Sequence, residues 1–319
     1  MTAGLEISDC VIYDIKPDDT GLGFSAADAI EVTAAGTFPN QRLSGDFRVV
    51  NNRIRRASLV DYPPQFIEGG VILNLSSMTT SIVANEIEGF AFVGIGIDRN
   101  DGPVTIAGNR VINCGHGGAL LALPSSSGIG FRGTTAPALV ERNTITGGYA
   151  GPSQSFLSRI AFGLASSNVV LRSNSVGGAF VLEPVLLSTF VDTARSRSFS
   201  ATDNRIETND LSEATGNQAQ VVLDQASDRN RFANNDYGSV GAGAEAGVVV
   251  RSANNAFVNE DFWGTYTGAP SQPCVKLTPT SSGNSVSAFK YQGAPQGFDV
   301  CQQVLDQGMN TVTGAQKCG

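Results

Sequence analysis

Acidic and basic side chains follow several of the short apolar segments of this sequence. Five of them have types and spacing suited to chemistry on a sugar: Asp98, Arg132, Asp192, Asp224 and Arg251. An arginine would neutralise the carboxylate of a uronic acid while an aspartate removes the adjacent proton. Two carboxylates about 5 Å apart, as Asp192 and Asp224 are expected to be, would instead support retaining glycoside hydrolysis. The competing interpretation is that neighbouring opposite charges form only surface ion pairs, worth about 0–1 kcal/mol each.

Metal and redox chemistry have little support in the sequence. The segment that begins at Asp98 and contains Asp101 lacks the further oxygen ligands and the terminal Glu of an EF-hand loop, so calcium is possible only in a site assembled across coils. No cofactor is firmly implied. The cysteines show no Cys-x-x-Cys spacing, which argues against a zinc site. A disulfide among Cys274, Cys301 and Cys318 and buried free thiols are both compatible with the sequence.

A sequence repeat indicates the elements that must position these side chains. An extended apolar run, an Asn, one variable residue and an Ile, Val or Phe recur eleven times, with Asp replacing Asn once. From Asn52 onward the mean period is about 29 residues, so each unit must stack on its neighbours to bury its apolar face. The repeats begin at Asp9, Asn52, Asn85, Asn109, Asn143, Asn174, Asn204, Asn230, Asn255, Asn284 and Asn310.

The units are predicted to consist of strands. Their apolar residues alternate with a period of two, and no segment shows convincing helical periodicity. An Asn at a fixed turn tolerates left-handed dihedrals, and its amide can bond to the Asn of the next unit at the strand spacing of about 4.8 Å. The sequence therefore predicts an all-β fold, a right-handed parallel β-helix of about ten coils with an Asn ladder. We expect one domain over 1–319, a fragment of a longer protein, with possible C-terminal capping coils at 283–319.

A second apolar strand follows each Asn turn, and we expect these strands to form one sheet. They are residues 29–32, 71–73, 95–97, 129–131, 160–162, 221–223, 248–250 and 275–277, with 189–191 assigned to the coil between Asn174 and Asn204. The residues that follow them would form one outward column at about 5 Å spacing. That column is Thr33, Asn74, Asp98, Arg132, Gly163, Asp192, Asp224, Arg251 and Thr278.

This Asn-turn repeat resembles that of the pectin-lyase-like superfamily of parallel β-helices, over nearly the whole chain. The superfamily includes pectate lyases, polygalacturonases, epimerases and phage tailspikes. The resemblance implies a carbohydrate-active protein, a polysaccharide lyase or glycoside hydrolase with its substrate in a groove along one sheet. The alternative is a non-catalytic surface or spike-like module that is structural or binds glycans, since the repeat itself is architectural.

Individual polygalacturonase motifs are incomplete. The Gly-His-Gly element around His116 is similar to one in those enzymes, but the accompanying Asn-Thr-Asp, Asp-Asp and Arg-Ile-Lys motifs are missing at the required places. Gly-rich turns without His recur at the equivalent position of other repeats. We therefore interpret His116 as a turn residue.

Repeat lengths indicate where a cleft would lie. The intervals from Asn109 to Asn204 are 34, 31 and 30 residues, against 26 and 25 for the next two. Longer turns there would gather Tyr149, Arg159 and Glu183 as substrate-binding residues beside the catalytic candidates. Trp263 is a further candidate because its face could stack on a sugar ring, although burial of large aromatics is more common.

Charge and hydropathy exclude some functions. The net charge is −8 with a pI near 4.7, and only four lysines are present, so no basic stripe exists for nucleic acid. No run approaches the 18 or so apolar residues of a membrane span. A secreted or cell-surface location is expected, without a signal peptide in this sequence. The expected partner is a polysaccharide or cell-surface glycan, and a homo-oligomer is possible.

Overall fold

The protein was analysed as a computed structural model, which describes residues 4–15, 28–33, 43–56, 69–116, 127–147, 149–150, 155–156, 158–192, 196–241, 243–263, 273–292, 304–314 and 317–318. These residues form 36 strands, numbered β1 to β36 along the chain, and contain no helix. The described part of the chain accordingly has no helix that could cross a membrane.

Three long parallel sheets account for 32 of the strands. The first sheet contains β1 (Gly4–Ser8), β4 (Asp46–Val50), β7 (Thr79–Val83), β10 (Val104–Ala107), β13 (Ala138–Glu141), β18 (Val169–Arg172), β23 (Arg205–Glu207), β26 (Arg231–Ala233), β29 (Ala256–Val258), β32 (Ser282–Ser287) and β35 (Met309–Thr313). The second contains β2 (Val11–Ile15), β5 (Arg53–Arg56), β8 (Glu86–Glu88), β11 (Arg110–Ile112), β14 (Thr144–Gly147), β19 (Ser175–Phe180), β24 (Asp210–Gly216), β27 (Asp236–Val240), β30 (Asp261–Trp263) and β33 (Lys290–Gln292). The third contains β3 (Ile30–Thr33), β6 (Gly69–Asn74), β9 (Val93–Asp98), β12 (Ser127–Arg132), β17 (Ile160–Ala165), β20 (Val185–Leu187), β25 (Val221–Leu223), β28 (Val248–Val250), β31 (Val275–Leu277), β34 (Val304–Asp306) and β36 (Lys317–Cys318).

Two antiparallel pairs complete the structure. They are β15 (Tyr149–Ala150) with β16 (Ser155–Phe156), and β21 (Thr189–Asp192) with β22 (Arg197–Ser200). Along the chain the strands of the three long sheets follow the order first, second, third, so one strand from each makes one coil. The last described coil contains only β35 of the first sheet and β36 of the third. The predicted fold class, an all-β parallel β-helix, is confirmed.

The core lies inside the coils and is built from columns of similar apolar side chains. In β14, for example, exposed and buried residues alternate as the period of two requires. Phe232 stacks on Phe257 with ring centroids 4.8 Å apart, and the ring centroids of Tyr237 and Phe262 are 4.9 Å apart with the rings tilted by 32°. Each fully buried side chain of this size contributes about 1.5–3 kcal/mol of burial free energy.

The predicted Asn ladder is present, but it consists of two ladders at different turns. In each, the backbone N–H of one Asn donates to Oδ1 of the Asn one coil later, over 2.7–3.0 Å. The ladder between the first and second sheets contains Asn52, Asn85, Asn109, Asn143, Asn174, Asn209 and Asn235 and ends on Glu260. The second ladder lies at the start of the first-sheet strands, just before β23, β26 and β29 and within the first residues of β32 and β35. It contains Asn204, Asn230, Asn255, Asn284 and Asn310. The single repeat inferred from the sequence is therefore two repeats in the structure. Its members up to Asn174 belong to the first ladder, and those from Asn204 onward belong to the second.

We expected the ladder Asn to adopt the left-handed conformation. In the first turn the residue before it does so instead. Asn51, Ala84, Arg142 and Ser173 have φ between 53° and 57°, and Gly108 has 63°. The amide of the ladder Asn is thereby left free to bond along the axis. Left-handed Ala, Arg and Ser are uncommon because of their Cβ atoms. The hydrogen bonds of the ladder hold them in that conformation.

The third sheet contains the predicted second strands with two corrections. Residues 189–191 belong to the β21–β22 pair, and the third-sheet strand of that coil is β20. Residues 160–162 are also displaced by two positions, since Phe162 pairs with Ile129 and Ala165 pairs with Arg132. Ala165 therefore replaces Gly163 in the outward column, and Ser188 replaces Asp192.

Candidate functional site

The upstream part of the column carries a cluster of charged residues, which we call the Asp98 cluster: Asn74, Asp98, Arg99, Arg132 and Asp192. Asn74, Asp98 and Arg132 end β6, β9 and β12 and are in register across the sheet. Arg99 begins the following turn in the left-handed conformation, with φ 52°. Parallel register therefore brings an amide, a carboxylate and a guanidinium to successive coils, as the sequence predicted.

Ion pairs connect all the charges of the Asp98 cluster. Arg132 donates to Asp98 over 2.5 Å, and Arg99 donates to both carboxylate oxygens of Asp98 over 3.1 and 2.8 Å. Arg99 also donates to Asn74 over 3.0 Å and lies 3.3 Å from Oδ2 of Asp192. Two carboxylates thus face two guanidiniums in a network that is internally neutral.

A hairpin, formed by β21 and β22, covers this cluster. The Arg132 guanidinium lies 4.8 Å from the ring centroid of Phe190, which stacks on Phe199. Asp98 is 6% exposed and Asp192 4%. The structure brings Asp98, Arg132 and Asp192 together, but it does not place Asp192 beside Asp224, contrary to our expectation, because Asp192 belongs to the hairpin. The contacts of the three residues dock the hairpin on the coils.

A second cluster lies further along the same sheet. We call it the Glu183 cluster: Arg159, Glu183, Asp224, Glu245, Arg251 and Lys276. Asp224 and Arg251 follow β25 and β28 and are neighbours, as predicted, with Arg251 donating to Asp224 over 2.9 Å. Arg251 also donates to Glu245 over 3.0 Å, and Lys276 donates to Glu245 over 2.7 Å. These hydrogen bonds cross the outer face of the third sheet.

Glu183 is the unusual member of this cluster. It lies just before β20, is 3% exposed, and receives no hydrogen bond from any described residue. Burial raises the pKa of Glu183 to about 8, the negative charge of Asp224 adds to the rise, and Arg251 and Arg159 oppose it. The carboxyl is therefore protonated at neutral pH, because desolvation disfavours its charged form.

Arg159 and Glu245 set the charge around Glu183. Nε of Arg159 is buried and has no hydrogen-bond partner in the described part of the chain. Burial alone would raise the pKa of the Glu245 carboxyl, but the hydrogen bond and charge of Lys276 and the charge of Arg251 lower it overall. One carboxyl of the cluster is thus held neutral while another is held ionised, a separation typical of acid–base sites.

A cleft of about 250 Å³ adjoins this cluster. Val222 and Val249, the outward residues of β25 and β28, form its floor, while Gln218 and Glu245 form one wall and Arg251 forms the other. Beneath the cleft lies a small apolar cluster on the outer face of the sheet, of Ile160, Leu182, Leu186, Ala219, Val222, Ala246 and Val249. The cleft therefore combines a small apolar floor with polar and charged walls.

The other candidate residues lie apart or outside this description. Trp263 ends β30 in the second sheet, where its indole N–H donates to Asp236, so it does not join the third-sheet cleft. Tyr149 lies in β15, but its side chain is outside the described residues. His116 is buried with Nδ1 3.1 Å from the Asn113 carbonyl, as suits a turn residue. Burial lowers its pKa to about 4.

Sequence reasoning missed Gln218, Glu245 and Lys276. Gln218 and Glu245 each stand three residues before a third-sheet strand, and the N–H of Glu245 donates to the carbonyl of Gln218 over 3.0 Å. A second column read from those positions would have identified them. Within the described ranges no group of three His, Cys, Asp or Glu residues could hold a metal ion. Cys10, Cys114 and Cys274 are free thiols, while the Cys301 and Cys318 side chains lie outside the described residues.

Comparison with solved structures identifies similar folds. DFA-IIIase from Arthrobacter chlorophenolicus A6 without its lid aligns with a TM-score of 0.56 at 15% identity, over 96% of this chain and 74% of that chain. This likeness shows that the two proteins share a fold, which in this chain is the parallel β-helix. The same β-helix enzyme in complex with GF2 aligns with a TM-score of 0.57 at 17% identity, over 95% and 71% of the two chains.

Other comparisons add little about this β-helix. A bacteriophage CBA120 tailspike protein aligns over 100% of this chain and 54% of that chain at 13% identity, with a TM-score of 0.29 that is too low to support an inference. No protein-family model matches the sequence, and no curated protein matches it.

Proposed function

We propose that this protein is a carbohydrate-active enzyme that cleaves glycosidic bonds at the cleft, with Glu183 as the general acid. The observation that carries the proposal is the buried Glu183 carboxyl, which receives no hydrogen bond from the described residues and lies near an Asp–Arg pair at the edge of an apolar-floored cleft. Burial raises the pKa of this carboxyl to about 8. A carboxyl that still holds its proton at neutral pH is what protonation of a leaving-group oxygen requires.

The mechanism follows from the two kinds of carboxyl in the cluster. Glu183 donates its proton to the glycosidic oxygen as the bond from that oxygen to the anomeric carbon breaks. Positive charge develops on the sugar, and the Asp224 carboxylate, oriented by Arg251 over 2.9 Å, is the nearby negative group that stabilises it. Asp224 then either takes a proton from the attacking water or attacks the anomeric carbon itself, the two routes that a carboxyl pair allows.

The structural neighbours give this proposal general support. DFA-IIIase is a carbohydrate-acting enzyme, and one of its structures holds GF2. Transferred to this chain, a glycan substrate also agrees with the expected polysaccharide partner and with a secreted or cell-surface location. The glycan partner, the secreted or cell-surface location and the possible homo-oligomer all remain part of the proposal.

β-Elimination on a uronic acid is less well supported by the geometry. That reaction needs an ionised base and an arginine that both reach the substrate, and Asp98 with Arg132 has the required composition. The pair lies under the hairpin, however, and its charges are already compensated within the Asp98 cluster.

The test is a glycan panel assayed with the wild type and with Glu183→Gln, with and without calcium. The panel contains GF2, DFA-III, inulin, levan, polygalacturonate and alginate, and both reducing ends and absorbance of unsaturated products are measured. We expect new reducing ends from wild type and a loss of about 10²–10⁴-fold in kcat for Glu183→Gln, the usual contribution of a general acid. Glu213→Gln is the matched control, because Glu213 makes the same chemical change on the exposed face of β24.

Three outcomes would contradict the proposal. Binding without cleavage by the wild type would favour the non-catalytic glycan-binding module. Unsaturated products would indicate a lyase. Activity that survives in Glu183→Gln but is lost in Asp98→Asn, with both variants folded, would move the site to the Asp98 cluster.

A further inference from the structure

We infer that the hairpin closes the cleft on one side, so that the site takes the end of a glycan chain or a short oligosaccharide and not the interior of a polymer. The inference rests on the proposed function and deepens it by naming the form of the substrate. It is carried by the path of the hairpin, the exposure of the column residues and the size of the cleft.

The hairpin runs backward along the axis of the solenoid. It leaves the coil of β20 at Ser188, whose carbonyl accepts from the N–H of Ala201, and reaches Arg99 in the coil of β9 through Asp192. Three coil steps span about 14 Å, and four extended residues span about 13 Å, so β21 is long enough to run parallel to the axis. It therefore lies along the outward column instead of projecting from it.

Exposure along the column changes where the hairpin begins. Under the hairpin, Asp98, Ala165 and Ser188 are at most 6% exposed and the Arg132 side chain is 29% exposed. In the next two coils the side chains of Asp224 and Arg251 are 42% and 38% exposed, and Thr278 after them is 8% exposed. A glycan lying along the column would meet Asp224 and Arg251 and then stop at the base of the hairpin.

The cleft itself is short. Its lining residues come from the coils of β25 and β28, which are one step of about 4.8 Å apart. Its volume of about 250 Å³ is below the range of about 300–1,000 Å³ for sites that enclose drug-sized ligands. Room for one or two sugar rings, next to the coil of β20 that carries both Glu183 and the base of the hairpin, fits cleavage close to a chain end.

The experiment compares early products from a polymer with those from its oligomers. Whichever panel polymer is cleaved is supplied intact, with viscosity and reducing ends followed together, and as labelled oligomers three to ten sugars long. We expect only mono- or disaccharides at early times and viscosity that falls slowly relative to reducing ends. A rapid fall in viscosity with mixed product lengths would overturn this inference while leaving the proposed cleavage intact. No cleavage of any glycan would remove both.

A variant with a shortened hairpin tests whether the hairpin causes the short products. Replacing residues 190–199 with Gly-Gly joins Thr189 to Ser200, a paired position at the base, through a two-residue turn. Longer early products are expected from this variant, and unchanged short products would show that the hairpin does not set the boundary. Val191→Ser is the matched control, because Val191 is 59% exposed on the hairpin and its products should match wild type. Should the shortened variant not fold, the wild-type product series decides the inference alone.

Discussion

Arg99 and Asp192 are 93 positions apart in the chain, yet Nη1 of Arg99 lies 3.3 Å from Oδ2 of Asp192. Arg99 belongs to the coil of β9, and Asp192 to the strand that leaves the coil of β20. The contact therefore ties the hairpin to coils that were completed three turns earlier.

Weakening that contact should loosen the hairpin. We expect Asp192→Asn to lower the free energy of unfolding by about 1–3 kcal/mol, because it removes a charge-assisted interaction between side chains 4% and 17% exposed. The value stays below the cost of isolating a buried charge, since Arg99 keeps its pair with Asp98. Urea denaturation measures it, with Asp46→Asn on the exposed face of β4 as the control. An equal change in the unfolding free energy of both variants would show that Asp192 does not help to dock the hairpin on the coils.

Activity should depend on the proton of Glu183. Because burial raises the pKa of Glu183 to about 8, kcat/KM should fall as the pH rises through that value. The Arg159 charge opposes the rise, so Arg159→Gln should raise the pKa further and move the alkaline limb to higher pH. A pH profile of both proteins checks this. A limb that stays in place, or moves to lower pH, would show that Arg159 does not act on the general acid.

Glu260 should make stability depend on pH. Burial raises its pKa from 4.5 to about 8, although hydrogen bonds from Tyr237 and Asn235 oppose the rise. Between these values the folded state holds a proton that the unfolded state releases, so stability is highest below pH 4.5 for this group and decreases as the pH rises to about 8. Glu260→Gln should remove a slope of about 1.4 kcal/mol per pH unit from the unfolding free energy. Urea titrations at several pH values measure it, and an unchanged slope would mean that Glu260 is ionised.

Removing a ladder asparagine should lower the free energy of unfolding more than removing an exposed asparagine. In Asn109→Ala, the backbone N–H and Nδ2 of Asn85 both lose the Oδ1 that they share, and the Ile82 carbonyl loses its Nδ2 donor. Leaving buried polar groups without partners should cost about 2–4 kcal/mol. Asn217→Ala, at an exposed position, should change stability by no more than about 0.5 kcal/mol. Chemical denaturation of the two variants gives the comparison.

The strands were predictable because their pattern is local. Alternating apolar residues and an Asn at each turn mark the strands of a coil without reference to distant residues, so the coils and most third-sheet strands could be read from the repeat. The change of ladder near Asn204 was not predictable, because both turns share the same residue pattern. The residues of β21 also alternate like a third-sheet strand, and only the competition from Val185–Leu187 for the place in the sheet excludes them.

The candidate site was predictable only in part. Parallel register is set by the repeat, so the contacts between Asp98 and Arg132 and between Asp224 and Arg251 could be read from the column. Glu183 and Arg159 were proposed from turn length, but the burial that gives Glu183 its proton depends on packing across coils. Glu245 was missed because its side chain reaches Arg251 across the sheet from the opposite end of β28, a direction that a single column does not represent.

Neither Asn ladder runs the whole length of the solenoid, and the two overlap. The first ends at Asn235 and Glu260, whereas the second begins at Asn204, so the coils that carry β25 and β28 lie where both are present. Amide protons in these coils should exchange most slowly with solvent, because opening them breaks hydrogen bonds at two corners at once. The cleft thus rests on coils that are hydrogen-bonded at two corners, and this double support would hold the charged groups of the proposed site at fixed distances.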